Sequence, residues 1–217
     1  MVHQLNKQPQ QNNTAFVLGN GRSRLVLNPA SLKTYGKIYG CNASYREFDP
    51  DFLVAVDVKM VNEIVNSGYH RKCPVWTNPN KGIISRSGLN FFNPHKGWSS
   101  GPTALYFASE SKYTDIYIFG FDYQGIDGKF NNVYADTFNY KKSSDSATYH
   151  GNWLSQTERT IREFPSINFY RVMEPGGFIP DKLNNGLLNL THITFEEFEK
   201  RFPGTIYSNQ TIQKTTI

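Results

Sequence analysis

The chain has 217 residues, with 23 Lys and Arg against 18 Asp and Glu, a formal net charge of +5, and only 19% charged residues. That length supports one domain with a sizeable core, and so mild a charge, with no dense basic block, does not demand duplex nucleic acid as a partner. Two distant cysteines, Cys41 and Cys73, exclude a disulfide framework; with no signal-peptide core and no run of membrane-spanning length, the expectation is a cytoplasmic chain with reduced thiols.

Residues 1–13 are polar and rich in Gln and Asn, the composition of a disordered lead-in. Ala15-Phe16-Val17-Leu18 reads as a first strand, and Gly19-Asn20-Gly21-Arg22-Ser23-Arg24 follows where it ends. Glycines there permit a close backbone approach to a ligand, and Asn20 offers a carbonyl and an amide to a ribose or phosphate oxygen. Tight strand-to-helix turns also use glycine for geometry alone, so both readings stand. Asn28 before Pro29 caps a short helix through about residue 35, and 37–41 reads as a second strand ending at Asn42. The apolar run 52–56, ending at Asp57, has the pattern of a strand buried on both faces. Val58, Val61, Ile64 and Val65 recur at helical spacing over 58–67, with Gly68 as the stop.

A short fourth strand at 74–76 ends at Thr77-Asn78, and 79–98 reads as loop. A helix opens at Ser99-Ser100-Gly101-Pro102-Thr103 and runs to about 111; the fifth strand, 115–119, ends at Gly120-Phe121-Asp122-Tyr123. Residues 124–148 are polar and irregular, long enough for a functional lid. A helix over 152–164 and a sixth strand over 167–172 follow, then a turn at 174–177. Thr194-Phe195-Glu196-Glu197 has the spacing of a capping box opening a last helix to about 202, and the Gln/Thr-rich tail 204–217 reads as loose.

Strands alternating with helices predict one α/β domain over 14–203, Rossmann-like, with a mostly parallel sheet and helices on both faces. Ligands bind such sheets beyond the carboxyl ends of the strands. Five of those ends are polar or glycine-rich here: Gly19-Asn20-Gly21, Asn42, Asp57, Thr77-Asn78 and Gly120-Phe121-Asp122.

The helix start at Ser99, Ser100, Gly101 and Thr103 brings free N–H groups and hydroxyls together, which suits an anion, although a serine there also serves as an ordinary cap. Asp122 and Asp57 are each read either as a ligand for a ribose or substrate hydroxyl or as a turn-forming Asp. No paired carboxylates mark a metal site. In and around the long polar segment, Tyr134 and Tyr123 offer phenol hydroxyls to a leaving phosphate, and His150 a general base; His95 is its strongest rival, with His70 and His192 behind. Cys41, inside a strand and with no neighbouring His, reads as core. A dinucleotide fingerprint fails because Arg24 stands where the third glycine belongs, and no P-loop is present.

The order Gly19-Asn20-Gly21-Arg22-Ser23, Cys41-Asn42, Ser100-Gly101 and Ile116-Tyr117-Ile118-Phe119-Gly120-Phe121-Asp122-Tyr123 resembles that of the bacterial lipooligosaccharide sialyltransferases, over about 16–164. It is also similar to small tailed-phage proteins that share the Gly-Asn-Gly and Gly-Cys-Asn pattern. The resemblance implies a metal-independent glycosyltransferase with a nucleotide-sugar co-substrate and no other cofactor. It places Asn20, Asn42, Ser100 and Gly101 on the nucleotide, Tyr123 and Tyr134 near the leaving phosphate, and His150 near the general base. Arg22 stands in place of the family's Pro, and Gly151 in place of the Ser that follows its His. The acceptor is then a glycan or, for a phage protein, a hydroxylated DNA base. The alternative is a nucleotide-binding or structural phage protein without transferase activity.

Overall fold

Alternate residues of the first strand, β1 (Thr14–Leu18), feed two different cores: Ala15 and Val17 one, Phe16 and Leu18 the other. The same division recurs in β6 (Asp115–Phe119), where Ile116 and Ile118 oppose Tyr117 and Phe119. Side chains alternate across a strand, so a strand apolar at every position must be covered on both faces. The computed structural model describes residues 13–207 and shows this. Besides β1 and β6 the sheet contains β2 (Lys37–Cys41), β3 (Phe52–Val54), β4 (Val75–Thr77), β5 (Leu89–Phe91), β7 (Asn168–Met173) and β8 (Leu190–Thr194). The order is β5-β4-β3-β2-β1-β6-β7-β8, and every neighbouring pair is parallel.

One face is covered by α2 (Ser100–Glu110) and α3 (Gly151–Glu163) through Ala104, Leu105, Ala108 and Ile161. The other is covered by α5 (Phe195–Arg201) through Phe195 and Phe198, and by two 3-10 turns through Leu27 and Leu32. A third cluster packs α1 (Val58–Asn66) beneath β3 and β4, and a single turn, α4 (Asp181–Asn184), precedes β8. Many of the rings fill the α5 face: Phe16 lies edge-on to Phe198 at 6.1 Å and Tyr117 stacks on Tyr170 at 4.7 Å.

The chain walks outward from β1 to β5; after α2 it resumes on the far side of β1 as β6. The strand order therefore reverses between β1 and β6, and the crevice of a doubly wound sheet opens at that point.

The α/β class and parallel sheet agree with the sequence, but the described residues form eight strands where six were expected. β5 lies within the stretch read as loop; it is a three-residue, half-buried edge strand with Asn90 at its centre. β8, also an edge, carries Thr191, His192 and Thr194 and has no apolar run. The helix expected after Pro29 is a 3-10 turn, Pro29–Thr34, and β3 stops at Val54. Gly68 ends α1 in the left-handed region at φ 76°. The capping box forms: Thr194 Oγ1 accepts from the Glu197 amide at 3.1 Å, and Glu197 accepts from the Thr194 amide at 2.7 Å. The tail is held further than expected, since the Glu199 carboxylate accepts from the amides of Gly204, Thr205 and Ile206. The lead-in 1–12 and the tail 208–217 lie outside the described residues. Among the described residues no helix is long and apolar enough to cross a membrane.

Candidate functional site

A cleft of about 510 Å³ opens over the carboxyl ends of the central strands. It is bounded by Asn20 after β1, Asn42 after β2, Asp57 after β3, Asn78 after β4, the Gly120–Tyr123 turn after β6, and the first turns of α2 and α3. Most of the residues expected at the site meet here: Gly19, Asn20, Gly21, Asn42, Asp57, Ser99, Ser100, Gly101, Gly120, Asp122, Tyr123 and His150. Ser23, Thr103 and Tyr134 do not line it.

The glycines serve the protein before any ligand. A Cβ on Gly19 would sit 2.6 Å from the Gly120 carbonyl, and one on Gly21 would collide with the Asp122 carboxylate. The turns after β1 and β6 interlock at the switch point, with Gly21 N donating to Gly120 O at 2.9 Å. Gly120 needs its φ of 64°, and Asn42 and Tyr123 hold φ of 53° and 56° without being glycine. Left-handed non-glycine residues are strained and concentrate at functional sites.

Asp122 ties the turns together. Its carboxylate accepts from Ser23 N at 3.1 Å, Ser23 Oγ at 2.5 Å and Asn131 Nδ2 at 3.0 Å. Arg24, 2% exposed, folds beneath the first turn: Nε donates to Gly19 O at 2.8 Å, Nη1 to Glu47 at 2.9 Å and Nη2 to the Tyr134 hydroxyl at 2.8 Å. Thus Tyr134 is a buried support of Arg24 and does not face the cleft. Tyr123 borders the cleft, but its hydroxyl donates to buried Thr157 at 2.8 Å. Burial pushes both phenols well above their ordinary pKa. Arg171, 4% exposed and without an ion pair among the described residues, donates from Nε to Phe121 O at 2.9 Å and from Nη1 to Phe178 O at 2.9 Å.

The expected lid is anchored at both rims. Arg22 N donates to Asn131 Oδ1 at 2.9 Å and Val133 N to Asn20 O at 2.8 Å, while Arg46 reaches Thr137 at 2.8 Å. Asn131 and Asn132 of this segment form a cleft wall.

No side chain caps α2. Ser99, its N-cap residue, gives its amide to Gln156 at 3.1 Å, and the Ser100 hydroxyl accepts from Val56 N at 3.1 Å. The amides of Ser100 and Gly101 thus remain at the positive end of an 11-residue helix that borders the cleft. Thr103 lies in the next turn with its hydroxyl buried and without a hydrogen-bond partner among the described residues. Asn20, Asn42 and Asn78 each keep a buried side-chain oxygen without a hydrogen-bond partner among the described residues. Orphan acceptors of that kind cost stability unless a ligand or water meets them.

His150 immediately precedes α3, half-buried and edge-on to Trp153 at 5.2 Å. Burial lowers its pKa below the ordinary value, and the Asp122 carboxylate opposes that shift. His95, the rival base, does not line the cleft. Cys41 is core as expected: its thiol donates to Leu18 O at 3.3 Å, and burial pushes its pKa up to about 12. Among the described residues no three His, Cys, Asp or Glu gather as a metal site would require.

Sequence reasoning passed over Trp98, Trp153, Asn131 and Asn132 as cleft residues. Trp98 and Trp153 sit one and three residues from the expected Ser99 and His150, but a tryptophan there reads equally as core, and Asn131 and Asn132 lie in an irregular segment whose fold the local pattern does not encode. The fold and cleft together define an α/β protein of Rossmann-like architecture with a pocket at its switch point. Comparison with protein-family models, curated proteins and solved structures finds no match.

Proposed function

We propose that the protein is a glycosyltransferase that moves a sugar from a nucleotide-sugar donor to a hydroxyl acceptor. The observation that carries the reading is a half-buried imidazole, His150, in the same cleft as the uncapped N-terminus of α2. A proton acceptor and an oxyanion cradle are the two groups that displacement of a phosphate by a hydroxyl needs. The motif order resembling the lipooligosaccharide sialyltransferases supports the same reading.

In the proposed step the acceptor O–H proton passes to the neutral His150 imidazole as its oxygen attacks the anomeric carbon. The bond from that carbon to the phosphate oxygen breaks, and its electron pair stays on the nucleotide phosphate. The amides of Ser100 and Gly101 stabilise the charge. Among the described residues no Lys or Arg lines the cleft, so the phosphate depends on those amides and on the helix dipole. Asn42, Asp57 and Asn78, beyond the other side of β1, face the nucleoside. Transfer is proposed to run without a metal.

A thermal-shift screen against CMP, UDP, GDP and their sugars, with and without EDTA, tests the reading. Stabilisation by one nucleotide class, insensitive to EDTA, is expected; no shift with any nucleotide overturns it. Against a donor that binds, His150→Ala abolishes turnover and keeps the shift, whereas a nucleotide-binding protein without transfer shows no turnover to lose. The acid limb of the wild-type rate profile falls below pH ~6.5, the ordinary histidine value, because the base must be deprotonated to act.

A further inference from the structure

We propose that the end of the cleft beside α3 is a subsite for an uncharged sugar ring of the acceptor, walled by Trp98 and Trp153. The inference rests on the transferase reading for the word acceptor, while the subsite itself rests on the geometry below.

The strand order sets the layout. Asn78, Asp57 and Asn42 follow β4, β3 and β2, the glycine turns follow β1 and β6, and α3 begins past β6. From β4 to β6 is four strand spacings, about 19 Å at ~4.8 Å each, which leaves room for more than one ring along the cleft. His150 lies at the α3 end, so the hydroxyl whose proton it takes must enter there. The acceptor ring then lies in the cleft beside His150 and the two indoles that line it there.

Both indoles are half-buried and pre-set. Trp153 is fixed edge-on by His150, and Trp98 stands edge-on to Tyr106 at 5.7 Å. Neither indole N–H has a hydrogen-bond partner among the described residues. An apolar face beside an unspent donor matches a pyranose ring, which has a face of C–H groups and a rim of hydroxyls. Two of the chain's three tryptophans are committed to this end of one cleft.

The charges favour a neutral ring over a nucleic-acid strand. The Lys96 ammonium and the Arg159 guanidinium lie over the Trp98 ring, 5.1 and 5.7 Å from its centroid, and share the Glu163 carboxylate, at 3.3 and 3.9 Å. Neither lines the cleft; the side chains that do at this end are the Asp122 carboxylate, the amides Gln124, Asn131 and Asn132, Tyr123, the indoles and His150. A phosphate backbone would meet the Asp122 carboxylate and no lysine or arginine in the cleft lining, and single-strand grooves depend on both stacking rings and positive charge.

The test is a printed array of neutral and anionic glycans probed with the full chain. Intrinsic-fluorescence titrations of the glycans that bind, and of a single-stranded oligothymidylate across a salt series, follow. Binding of neutral glycans is expected, with affinity reduced about tenfold or more in Trp98→Ala, the scale of one lost ring contact. Trp153→Phe, which keeps a ring and removes the N–H, weakens binding less and guards against loss of folding in a larger truncation. The nucleotide-induced thermal shift stays in both variants. The subsite is overturned if no neutral glycan binds, if the variants bind glycans unchanged, or if the oligonucleotide binds with steep salt dependence. Glycan binding that needs the tryptophans, in a protein that no nucleotide stabilises, would keep the subsite and remove the transferase reading.

Discussion

Ser23 and Asp122, 99 residues apart, are joined by two hydrogen bonds: the Ser23 amide to Oδ2 at 3.1 Å and its hydroxyl to Oδ1 at 2.5 Å. They lock the turn after β1 to the turn after β6, on either side of the switch point, and Asn131 draws the long polar segment onto the same carboxylate. An Asp122→Ala variant removes three hydrogen bonds and leaves the two Ser23 donors without their acceptor, while Asn131 Nδ2 keeps Gln124 O at 3.1 Å. Hydrogen bonds to a charged group contribute ~1.5–3 kcal/mol each and do not add fully, so a loss of about 3 kcal/mol is expected in denaturant unfolding. Asp122→Asn keeps one acceptor oxygen and falls between it and the wild type. Wild-type stability in both variants would mean the two turns hold each other by packing alone.

Gly21 has φ −65° and ψ 146°, which any residue adopts; its requirement is space, because a Cβ there meets the Asp122 carboxylate and the Gly120 carbonyl. Gly68 is the reverse case, at φ 76° with nothing within 4 Å of a Cβ. Gly21→Ala should cost about 1–3 kcal/mol by overpacking and displace the cleft floor. Gly68→Ala should cost ~1–2 kcal/mol from backbone conformation and leave the cleft unchanged. Amide chemical-shift maps separate the two: perturbation reaching Tyr123 and His150 in the first variant, and confined to the end of α1 in the second.

His192 on β8 stands directly across from Arg171 on β7. Its Nε2 bonds the Leu183 carbonyl at 3.0 Å, which leaves Nδ1 as the buried, unpartnered nitrogen. Protonation would put a new N–H there beside an arginine that is already buried. Burial lowers the pKa, with the Leu183 bond opposing and Arg171 reinforcing the shift. The unfolded chain then binds more protons than the native one as pH falls below ~6.5. The histidine's stabilisation is complete above that value and is lost as pH falls through the native pKa. His150, lowered mainly by burial, acts in the same direction. Denaturant midpoints measured from pH 7.5 down to 5 should therefore decline, and His192→Gln should flatten the curve. A wild-type midpoint constant over that range would refute the argument.

The doubly wound class was legible because its signal is continuous: β1 and β6 are apolar at nearly every position, and a helical period separates other such runs. The capping box at Thr194 and the stop at Gly68 were legible because each is a local chemical rule. β5 and β8 were not, since an edge strand is half-solvated and its pairing comes from a neighbour distant in sequence. At the site, the glycine turns allowed two readings, a cradle for a ligand and turn geometry alone; a Cβ on Gly19, Gly21 or Gly120 would meet the opposing turn, which supplies the geometric reason, and all three still line the cleft. Tyr134 was read as a phosphate ligand, but its hydroxyl is paired with Arg24, 110 residues away. Which side of a residue faces the cleft is decided by such long-range partners, and no local spacing encodes them.

The two thiols offer a test of burial at the cleft floor. Cys41 is 3% exposed and Cys73 is 6% exposed, and burial raises both pKa values, that of Cys41 to about 12. Against a free cysteine near 8.5, a pKa of about 12 lowers the thiolate fraction at pH 8 by roughly three orders of magnitude before any steric shielding. Neither thiol should react with a disulfide reagent in the native state, and both should react together as denaturant unfolds the chain. Cys41 is the more telling, because it closes β2 beneath Asn42 and borders the cleft while its thiol points to Leu18 O. Rapid labelling of Cys41 without denaturant would mean that the floor opens in the native protein. The three unsatisfied asparagine oxygens would then be meeting solvent, and the case for a ligand in their place would weaken with them.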